Sequence, residues 1–235
     1  MKSTTAFFTE DTEQFAANYA RKHSFNDRLN LFRIGVQRSA SVPAKVLDFG
    51  CGPGVIASAV SQMGYDVLGT DGSEGMVRKA SFGAATAGLE NLRFELMEAR
   101  STGFGAQSFD VIICSSVLEY LAQDMAVLGQ LVDSLKLGGV LLVSVPNAWS
   151  LIGIAERSLR LFRRFCRVDM GRHFDYSLRH YSATRFAATL SSFGLEVQRR
   201  TSFEFPLCGK AGVRLSRVRA LGAMVLFEAR RSRLV

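Results

Sequence analysis

The chain has 235 residues, of which 48% are hydrophobic and 21% are charged, values that exclude a mainly disordered protein. With 21 glycines and only 4 prolines, collagen-like and proline-rich chains are excluded as well. The net charge of +8 permits three kinds of partner: nucleic acid, an anionic membrane surface or an acidic substrate.

Residues 1–43 are predicted to form a helical N-terminal cap, because apolar side chains recur there at helical spacing. From residue 44 onward, short apolar runs alternate with helical patterns, which predicts a doubly wound, mostly parallel α/β sheet. The predicted strands are 45–49, 66–70, 92–97, 109–114, 140–145, 195–203 and 223–229. The predicted helices are 53–63, 73–87, 122–137 and 182–193.

Local signals set the expected ends of these elements. Pro53 is predicted in the first turn of the first of these helices, and Ser73 as the N-cap of the second. The pair Gly138-Gly139 is expected to end the helix over 122–137, and Pro146 to stop the strand that follows it. The apolar stretch over 137–155 contains these glycines and this proline, so we expect a buried strand there rather than a membrane span.

The four cysteines lie far apart, at positions 51, 114, 166 and 208, and none forms the CxxC spacing of a zinc site. Nothing in their spacing suggests a disulfide framework. The first ten residues contain no apolar stretch of the kind found in a secretory signal. We therefore expect reduced thiols and a cytoplasmic protein.

The most informative stretch is VLDFGCGPG over residues 46–54, where a predicted strand runs into a glycine-rich turn and then a helix. Glycines allow the backbone to approach a ligand closely, and the N-terminus of the following helix offers free N–H groups. In an open parallel sheet, ligands bind outside the carboxyl ends of the strands. The G-x-G-x-G spacing differs from that of dinucleotide folds, and no G-K-[ST] follows, which excludes a P-loop.

Acidic side chains follow the next two predicted strands. Asp71 comes at the end of the second strand, where a carboxylate can accept hydrogen bonds from two ribose hydroxyls. Glu98 follows the third strand, in position for the amino group of an adenine. A glycine-rich turn alone is weak evidence, but the turn and both acids, each after its own strand, together indicate a ligand site.

These features resemble the class I S-adenosylmethionine-dependent methyltransferases. VLDFGCGPG is similar to their first motif, Asp71 to the acid after their second strand, and Glu98-Ala99 to the acid-alanine step after the third. FDVIICSSVLEYL (109–121) and LKLGGVLLVSVPN (135–147) resemble their fourth- and fifth-strand segments. The resemblance covers residues 44–147 well and implies a seven-stranded sheet whose final strand, here 223–229, runs antiparallel.

The resemblance also implies which residues bind S-adenosylmethionine. Asp48 and the backbone at Gly50 and Gly52 would hold its methionine part, and Asp71 would hold its ribose. The remaining cofactor contacts implied by these loops are Cys51, Gly54 and Gly72.

For the adenine end, the resemblance implies that Glu98 and Ala99 line the ring and that the chain around Ser115 closes the site. Tyr19, in FAANY (15–19), lies where many family members place a tyrosine over the cofactor. Its alternative role is that of a core aromatic on an amphipathic helix.

We interpret the chain as one methyltransferase domain, because no linker divides it. Its parts are the helical cap over 1–43, a cofactor-binding core over 44–147, a basic insert or lid over 148–181, and a C-terminal helix with strands over 182–235.

The group that acts on the methyl acceptor is less evident from the sequence. Methyl transfer requires alignment of nucleophile, methyl and sulfur, and removal of a proton if the acceptor is a hydroxyl. His173 and His180 lie just after the arginine-rich segment over 149–168, in a region where this fold often forms a lid. Both are candidate catalytic bases. The alternative is a surface loop with solvated histidines. No metal is predicted, because no acids cluster beside the two histidines.

The insert WSLIGIAERSLRLFRRFCRV (149–168) places apolar side chains on one side of a helix and arginines on much of the rest. That pattern is typical of an amphipathic helix at an anionic membrane surface, which would make such a membrane a peripheral partner. The alternative is a lid helix whose apolar side packs on the sheet.

A fifth strand followed by a basic apolar insert and a helix resembles the quinone-biosynthesis O-methyltransferases, which act on lipid-tailed phenols. Their fourth-strand motif often carries an extra acid and ends in Glu-His, where a divalent metal binds. This chain keeps Glu119 but has Ser116 and Tyr120 at the other two places, which puts the metal in doubt.

We therefore predict an S-adenosylmethionine-dependent methyltransferase that acts on a hydroxyl oxygen of a hydrophobic small molecule, lipid-tailed or of natural-product type. The alternative is N- or C-methylation of a soluble metabolite or sugar. Nucleic acid is disfavoured because CSSV stands where base methyltransferases carry Asx-Pro-Pro-aromatic or Pro-Cys. No motif supports a protein methyltransferase, and the retained glycines and Asp71 disfavour a non-catalytic cofactor-binding subunit.

Overall fold

The computed structural model describes residues 23–98, 103–151, 154, 179–204, 214, 217–218 and 221–232. The strands in these ranges are β1 Lys45–Phe49, β2 Asp66–Asp71, β3 Leu92–Leu96, β4 Phe109–Ser115, β5 Leu135–Pro146, β6 Leu195–Phe203 and β7 Met224–Arg231. The helices are α1 His23–Ser39, α2 Val55–Ser61, α3 Glu74–Thr86, α4 Asp124–Ser134 and α5 Ala183–Ser192, with a 3₁₀ turn at Leu118–Tyr120.

Within these ranges the seven strands form one sheet in the order β3-β2-β1-β4-β5-β7-β6. The pairs from β3 through β5 are parallel, whereas β7 pairs antiparallel with both β5 and β6. This confirms the predicted doubly wound, mostly parallel sheet with an antiparallel last strand. The strand order reverses between β1 and β4, and such a reversal opens a crevice at the carboxyl ends of the two strands.

Helices cover both faces of the sheet, and each face has its own apolar core. On one face, Phe32 and Val36 of α1 pack with buried residues of α2 and the central strands. On the other face, α4 and α5 contribute Leu128, Leu131 and Phe186 to a second core. Burial of a side chain of this size contributes about 1.5–3 kcal/mol to the free energy of unfolding. The two cores therefore fix the sheet, and with it the crevice, between the helices on its two faces.

The predicted helix over 122–137 is wrong at its C-terminal end. Helix α4 ends at Ser134, and β5 begins at the next residue, where Leu135 pairs with Phe109. The register then shifts, because Val111 already pairs with Val140. Gly138 and Gly139 lie inside this irregular part of the strand, and a Cβ at position 139 would lie 2.8 Å from the carbonyl oxygen of Asp110. These glycines therefore allow two strands to approach and do not end a helix.

The other predicted ends of helices and strands differ less from the structure. Pro53 lies before helix α2, because Gly54 at its N-cap adopts a left-handed φ of 77°. Pro146 is the last residue of β5 and pairs with Met224, so the missing proline N–H falls at the end of the ladder between β5 and β7. Ser73 is confirmed as the N-cap of α3, since its hydroxyl accepts a hydrogen bond from the backbone N–H of Met76.

Of the basic segment over 149–168, only the beginning falls within the described residues. Of the predicted N-terminal cap, residues 23–43 are described. The part of the apolar stretch that forms β5 is a buried strand, as predicted. Among the helices in the described ranges, none combines the length and the apolar character needed to cross a membrane.

Candidate functional site

The glycine-rich turn after β1 is tied to the end of the neighbouring strand. The backbone N–H groups of Gly50 and Cys51 both donate to the carbonyl oxygen of Thr70, at 2.8 and 2.9 Å. Gly50 has a φ of 70°, and a Cβ there would lie 2.3 Å from Val117 Cγ2. Both the left-handed conformation and the close approach of the chain after β4 therefore require glycine.

Asp71 clamps the glycine turn to the start of α3. Its Oδ2 accepts a hydrogen bond from the N–H of Gly52 at 2.9 Å, and its Oδ1 accepts one from the N–H of Ser73 at 2.8 Å. Burial raises the pKa of Asp71, and the N–H groups of Ser73, Gly52 and Gly72 partly offset this effect. Each carboxylate oxygen keeps acceptor capacity for a ligand hydroxyl, because it has two lone pairs.

Asp48 lies in β1 directly below the turn and is only 1% exposed. Neither of its carboxylate oxygens has a hydrogen-bond partner of normal geometry among the described residues. Burial raises the pKa of Asp48 to about 7, which the nearby N–H of Ala57 partly offsets and the charge of Asp71 reinforces. An opposite charge placed beside this carboxyl group would offset the cost of burying its ionised form.

Several buried polar atoms at this edge have no partner in the described part of the chain. They are the oxygens of Asp48, Thr70 Oγ1, Ser115 Oγ and Glu119 Oε2, and they lie at or just beyond the carboxyl ends of β1, β2 and β4. Buried polar groups in folded proteins are normally hydrogen-bonded, so these atoms require partners that the described part of the chain does not supply. Sequence reasoning missed Thr70, which no motif singles out.

The chain after β3 reaches the same place. The N–H of Met97 donates to the carbonyl oxygen of Asp71 at 3.0 Å. Glu98, the next residue in the chain, therefore lies close to the backbone of Asp71. Glu98 and Gly72 are both exposed to solvent. Ala99 and Tyr19 lie outside the described residues, and their cofactor contacts stay predictions.

His180 is half-buried and lies next to Tyr181, which forms a bridge with Asn147 just after the end of β5. The Tyr181 hydroxyl donates to Asp124 Oδ2 at 2.8 Å, which fastens this part of the chain to the N-terminus of α4. His180 is thus held at the same edge of the sheet as the unpartnered atoms. His173 lies outside the described residues, so its role stays a prediction.

Among the described residues, no three histidine, cysteine, aspartate or glutamate side chains come together in a way that could hold a metal ion.

The reversed strand order, the glycine turn and the two aspartates at the carboxyl ends, Asp48 buried and Asp71 half-buried, define a Rossmann-like fold with a site for a nucleotide-type cofactor. Comparison with known proteins gives the family: residues 18–199 match the methyltransferase domain family, so the chain belongs to it. This confirms the class predicted from the sequence, a methyltransferase domain of the S-adenosylmethionine-dependent type.

Two similar proteins are ubiquinone biosynthesis O-methyltransferases. The protein from Parvibaculum lavamentivorans is 29% identical over 142 residues, which cover 56% of this chain and 56% of that protein. The protein from Histophilus somni is 31% identical over 137 residues, which cover 54% of this chain and 58% of that protein. The chain spans about half the length of the curated relatives it matches.

The fold is shared with solved structures. Magnesium protoporphyrin IX methyltransferase from Synechocystis, solved with bound S-adenosylhomocysteine, superimposes with a TM-score of 0.71 at 18% identity. The match covers 97% of this chain and 98% of that one, which confirms the Rossmann-like methyltransferase fold.

Proposed function

We propose that this protein transfers the methyl group of S-adenosylmethionine to a hydroxyl oxygen of a hydrophobic small molecule, lipid-tailed or of natural-product type. The observation that carries the proposal is the set of buried polar atoms without partners among the described residues, at or just beyond the carboxyl ends of β1, β2 and β4. The preference for oxygen is supported by the relatives named as ubiquinone biosynthesis O-methyltransferases.

The residues present fit the cofactor. The unpartnered carboxylate of Asp48 would receive the ammonium group of the methionine part, beside the turn at Gly50 and Gly52. Asp71, whose oxygens keep free lone pairs, would receive the ribose hydroxyls. Cys51 and Gly54 shape the turn, Gly72 and Glu98 would border the adenine together with Ala99, and Ser115 would close the site.

The bound cofactor supplies an electrophilic methyl group, so the protein needs to supply position and a route for the proton. The rigid turn and the two aspartates fix the cofactor at one place, which aligns its methyl group with an acceptor held at the same edge. His180 and His173 stay the predicted proton acceptors, and His180 is held near the site through Tyr181 and Asp124.

Transfer of a labelled methyl group tests this function. The full chain is incubated with methyl-labelled S-adenosylmethionine and host cell extract, and the products are partitioned between organic and aqueous phases. We expect label in the organic phase, since a lipid-tailed phenol stays there after methylation. Label in the aqueous phase alone would contradict the hydrophobic acceptor and favour a soluble metabolite or a sugar.

We also propose a cytoplasmic location with peripheral contact between the segment over 149–168 and an anionic membrane surface. Trp149 and Leu151, at the beginning of this segment, are 71% and 57% exposed, and the sequence that follows is rich in arginine. Exposed apolar side chains beside basic ones favour an interface with anionic lipid. A lid helix is the competing role.

Liposome sedimentation tests the membrane contact. The wild-type chain should sediment with vesicles that contain phosphatidylglycerol, whereas a variant with Arg160, Arg163 and Arg164 changed to Glu should stay in the supernatant. Equal sedimentation of the two proteins would contradict the proposal and return the segment to the role of a lid.

A further inference from the structure

The chain leaves β4 through a residue whose backbone conformation is unusual for its type. Ser116 follows directly after the last residue of β4 and has a φ of 56°. This left-handed region is occupied mainly by glycine, because a Cβ atom crowds the neighbouring carbonyl oxygen there. Other residues keep such a conformation only where surrounding groups hold them in it, and they concentrate at functional sites. Ser116 therefore needs a contact that fixes its backbone.

That contact comes from Ser144, on the neighbouring strand β5. The Ser144 Oγ accepts a hydrogen bond from the backbone N–H of Ser116 at 3.1 Å, and the two hydroxyl oxygens lie 3.5 Å apart. In the parallel ladder between β4 and β5, Ser144 pairs with Ser115, the last residue of β4. The Ser144 side chain thus links β5 to the first residue beyond β4.

The hydroxyl group of Ser144 is out of keeping with the strand around it. Ser144 is fully buried and stands between Val143 and Val145, which both belong to an apolar core. A buried parallel strand normally has a continuous apolar sequence, and a buried hydroxyl group costs free energy unless it is hydrogen-bonded. The strand itself therefore gives no reason for a serine here, whereas the bond to Ser116 does.

The conformation of Ser116 determines where the next residue, Val117, lies. Val117 packs against the glycine turn after β1, since a Cβ at Gly50 would lie 2.3 Å from Val117 Cγ2 and 3.1 Å from Val117 Cγ1. A rotation of the backbone at Ser116 would move this side chain relative to Gly50. The position of the glycine turn therefore depends on a hydrogen bond that is made in β5.

We propose that Ser144 is a positioning residue for the cofactor turn. Its hydroxyl group keeps Ser116 in the left-handed conformation, which in turn keeps Val117 against Gly50 in the ligand-free protein. This inference rests on the proposed binding of S-adenosylmethionine at the turn. A turn that is already fixed raises the affinity for the cofactor, because binding then has less of the chain to order.

The competing role is a purely structural one, in which the hydrogen bond only adds to the stability of the fold. Glycine at position 116 distinguishes the two roles. It adopts a positive φ without crowding and still carries the backbone N–H. If the bond serves to hold the left-handed conformation, Ser116→Gly makes Ser144 dispensable for cofactor binding. If the bond only stabilises the fold, glycine leaves the effect of Ser144→Ala unchanged.

The test compares the wild-type chain with Ser144→Ala, Ser116→Gly, the double variant and the control Ser134→Ala. Ser134 is also buried, and its hydroxyl donates to the carbonyl oxygen of Gln130 at 2.9 Å. It is the last residue of α4 and so lies at the opposite end of β5 from Ser144. Calorimetry measures the Kd for S-adenosylmethionine, and urea denaturation measures the free energy of unfolding.

Ser144→Ala should weaken S-adenosylmethionine binding by about three- to tenfold, the range that one neutral hydrogen bond supplies. Ser134→Ala should lose comparable stability in urea and keep the wild-type affinity. Ser116→Gly and the double variant should both bind within about twofold of the wild type, because glycine needs no hydrogen bond to keep this conformation. The proposal is overturned by an unchanged affinity in Ser144→Ala, by an equal loss in Ser134→Ala, or by an equal loss in the double variant.

Hydrogen exchange on the ligand-free proteins separates this inference from the proposed function. The N–H groups of Gly50 and Cys51 are the probes, because both donate to the carbonyl oxygen of Thr70. They should exchange about three- to tenfold faster in Ser144→Ala than in the wild type, the double variant or Ser134→Ala, since the turn opens locally. If they do so and none of the proteins binds S-adenosylmethionine, the positioning role of Ser144 stands and the proposed cofactor is wrong. Equal exchange in Ser144→Ala and the wild type would refute the positioning role.

Discussion

The buried carboxyl group of Asp48 should make the protein less stable as the pH rises, as long as no ligand is bound. Burial raises its pKa from the ordinary 3.8 to about 7. At about 1.4 kcal/mol per pKa unit, this difference corresponds to about 4 kcal/mol of unfavourable free energy for the charged form. We therefore expect Asp48→Asn to change the pH dependence of folding by about this amount.

The sign follows from the direction of the pKa change. Below about pH 4 the group is neutral in both the folded and the unfolded chain, so it adds no pH-dependent penalty. Between pH 4 and pH 7 the unfolded chain releases the proton first, and the free energy of unfolding falls. Above about pH 7 the full penalty is present, and in Asp48→Asn this pH-dependent part should be missing.

Urea denaturation of both proteins between pH 4 and pH 8 measures this difference. The amide of the asparagine also lacks a partner and costs about 1–3 kcal/mol at every pH, so the comparison uses the slope with pH and not the stability at one pH. Calorimetry on the same samples should show S-adenosylmethionine binding that strengthens toward pH 7 in the wild type only, because binding of the ammonium group requires the ionised Asp48.

Asp110→Asn is the matched control. Burial raises the pKa of Asp110, but the hydrogen bond from Lys136 and the N–H of Lys45 outweigh this and lower it overall. Asp110 therefore stabilises the fold above its unfolded pKa, and its replacement should cost up to about 1 kcal/mol near pH 7 without changing ligand binding. If Asp48→Asn keeps the wild-type slope of unfolding free energy with pH, burial does not raise the pKa of the Asp48 carboxyl group.

Two further substitutions test the cofactor site. Gly50→Ala should abolish S-adenosylmethionine binding, because its Cβ would meet Val117 at 2.3 Å. The control is Gly88→Ala, where φ is also positive, at 65°, but a Cβ would meet nothing within 4 Å. This control should lower the free energy of unfolding by about 1–2 kcal/mol in urea denaturation and leave binding unchanged. Similar losses of binding in both would contradict a close approach at the glycine turn. Asp71→Asn should weaken binding by at least about tenfold in calorimetry, since hydrogen bonds to a charged group contribute about 1.5–3 kcal/mol. Asp66→Asn, at the other end of β2, is its control, and equal affinities in the two variants would remove the ribose role of Asp71.

Local patterns were enough to predict the alternation of strands and helices. The antiparallel last strand was predicted from the family resemblance. Strand β6 and the N-cap Ser73 have the positions that their patterns indicate, because alternation and capping depend on near neighbours. The end of α4 did not follow from its pattern. Gly138 and Gly139 resemble a helix stop, but they serve a strand irregularity that exists only once β4 and β5 are paired.

The sequence by itself determined the family, the glycine turn and the two aspartates at the carboxyl ends of β1 and β2, because ligand contacts through a tight turn demand glycine and acid at short, regular spacings. Only the tertiary structure brought Arg28 of α1 together with Glu204 beyond β6, which are 176 positions apart in the chain. It also showed that Thr70 Oγ1 and Ser115 Oγ are buried without a hydrogen-bond partner among the described residues, a property that arises only when strands and helices pack. Spacing along a chain records contacts within one loop, whereas the pKa of a carboxyl group depends on everything that packs around it.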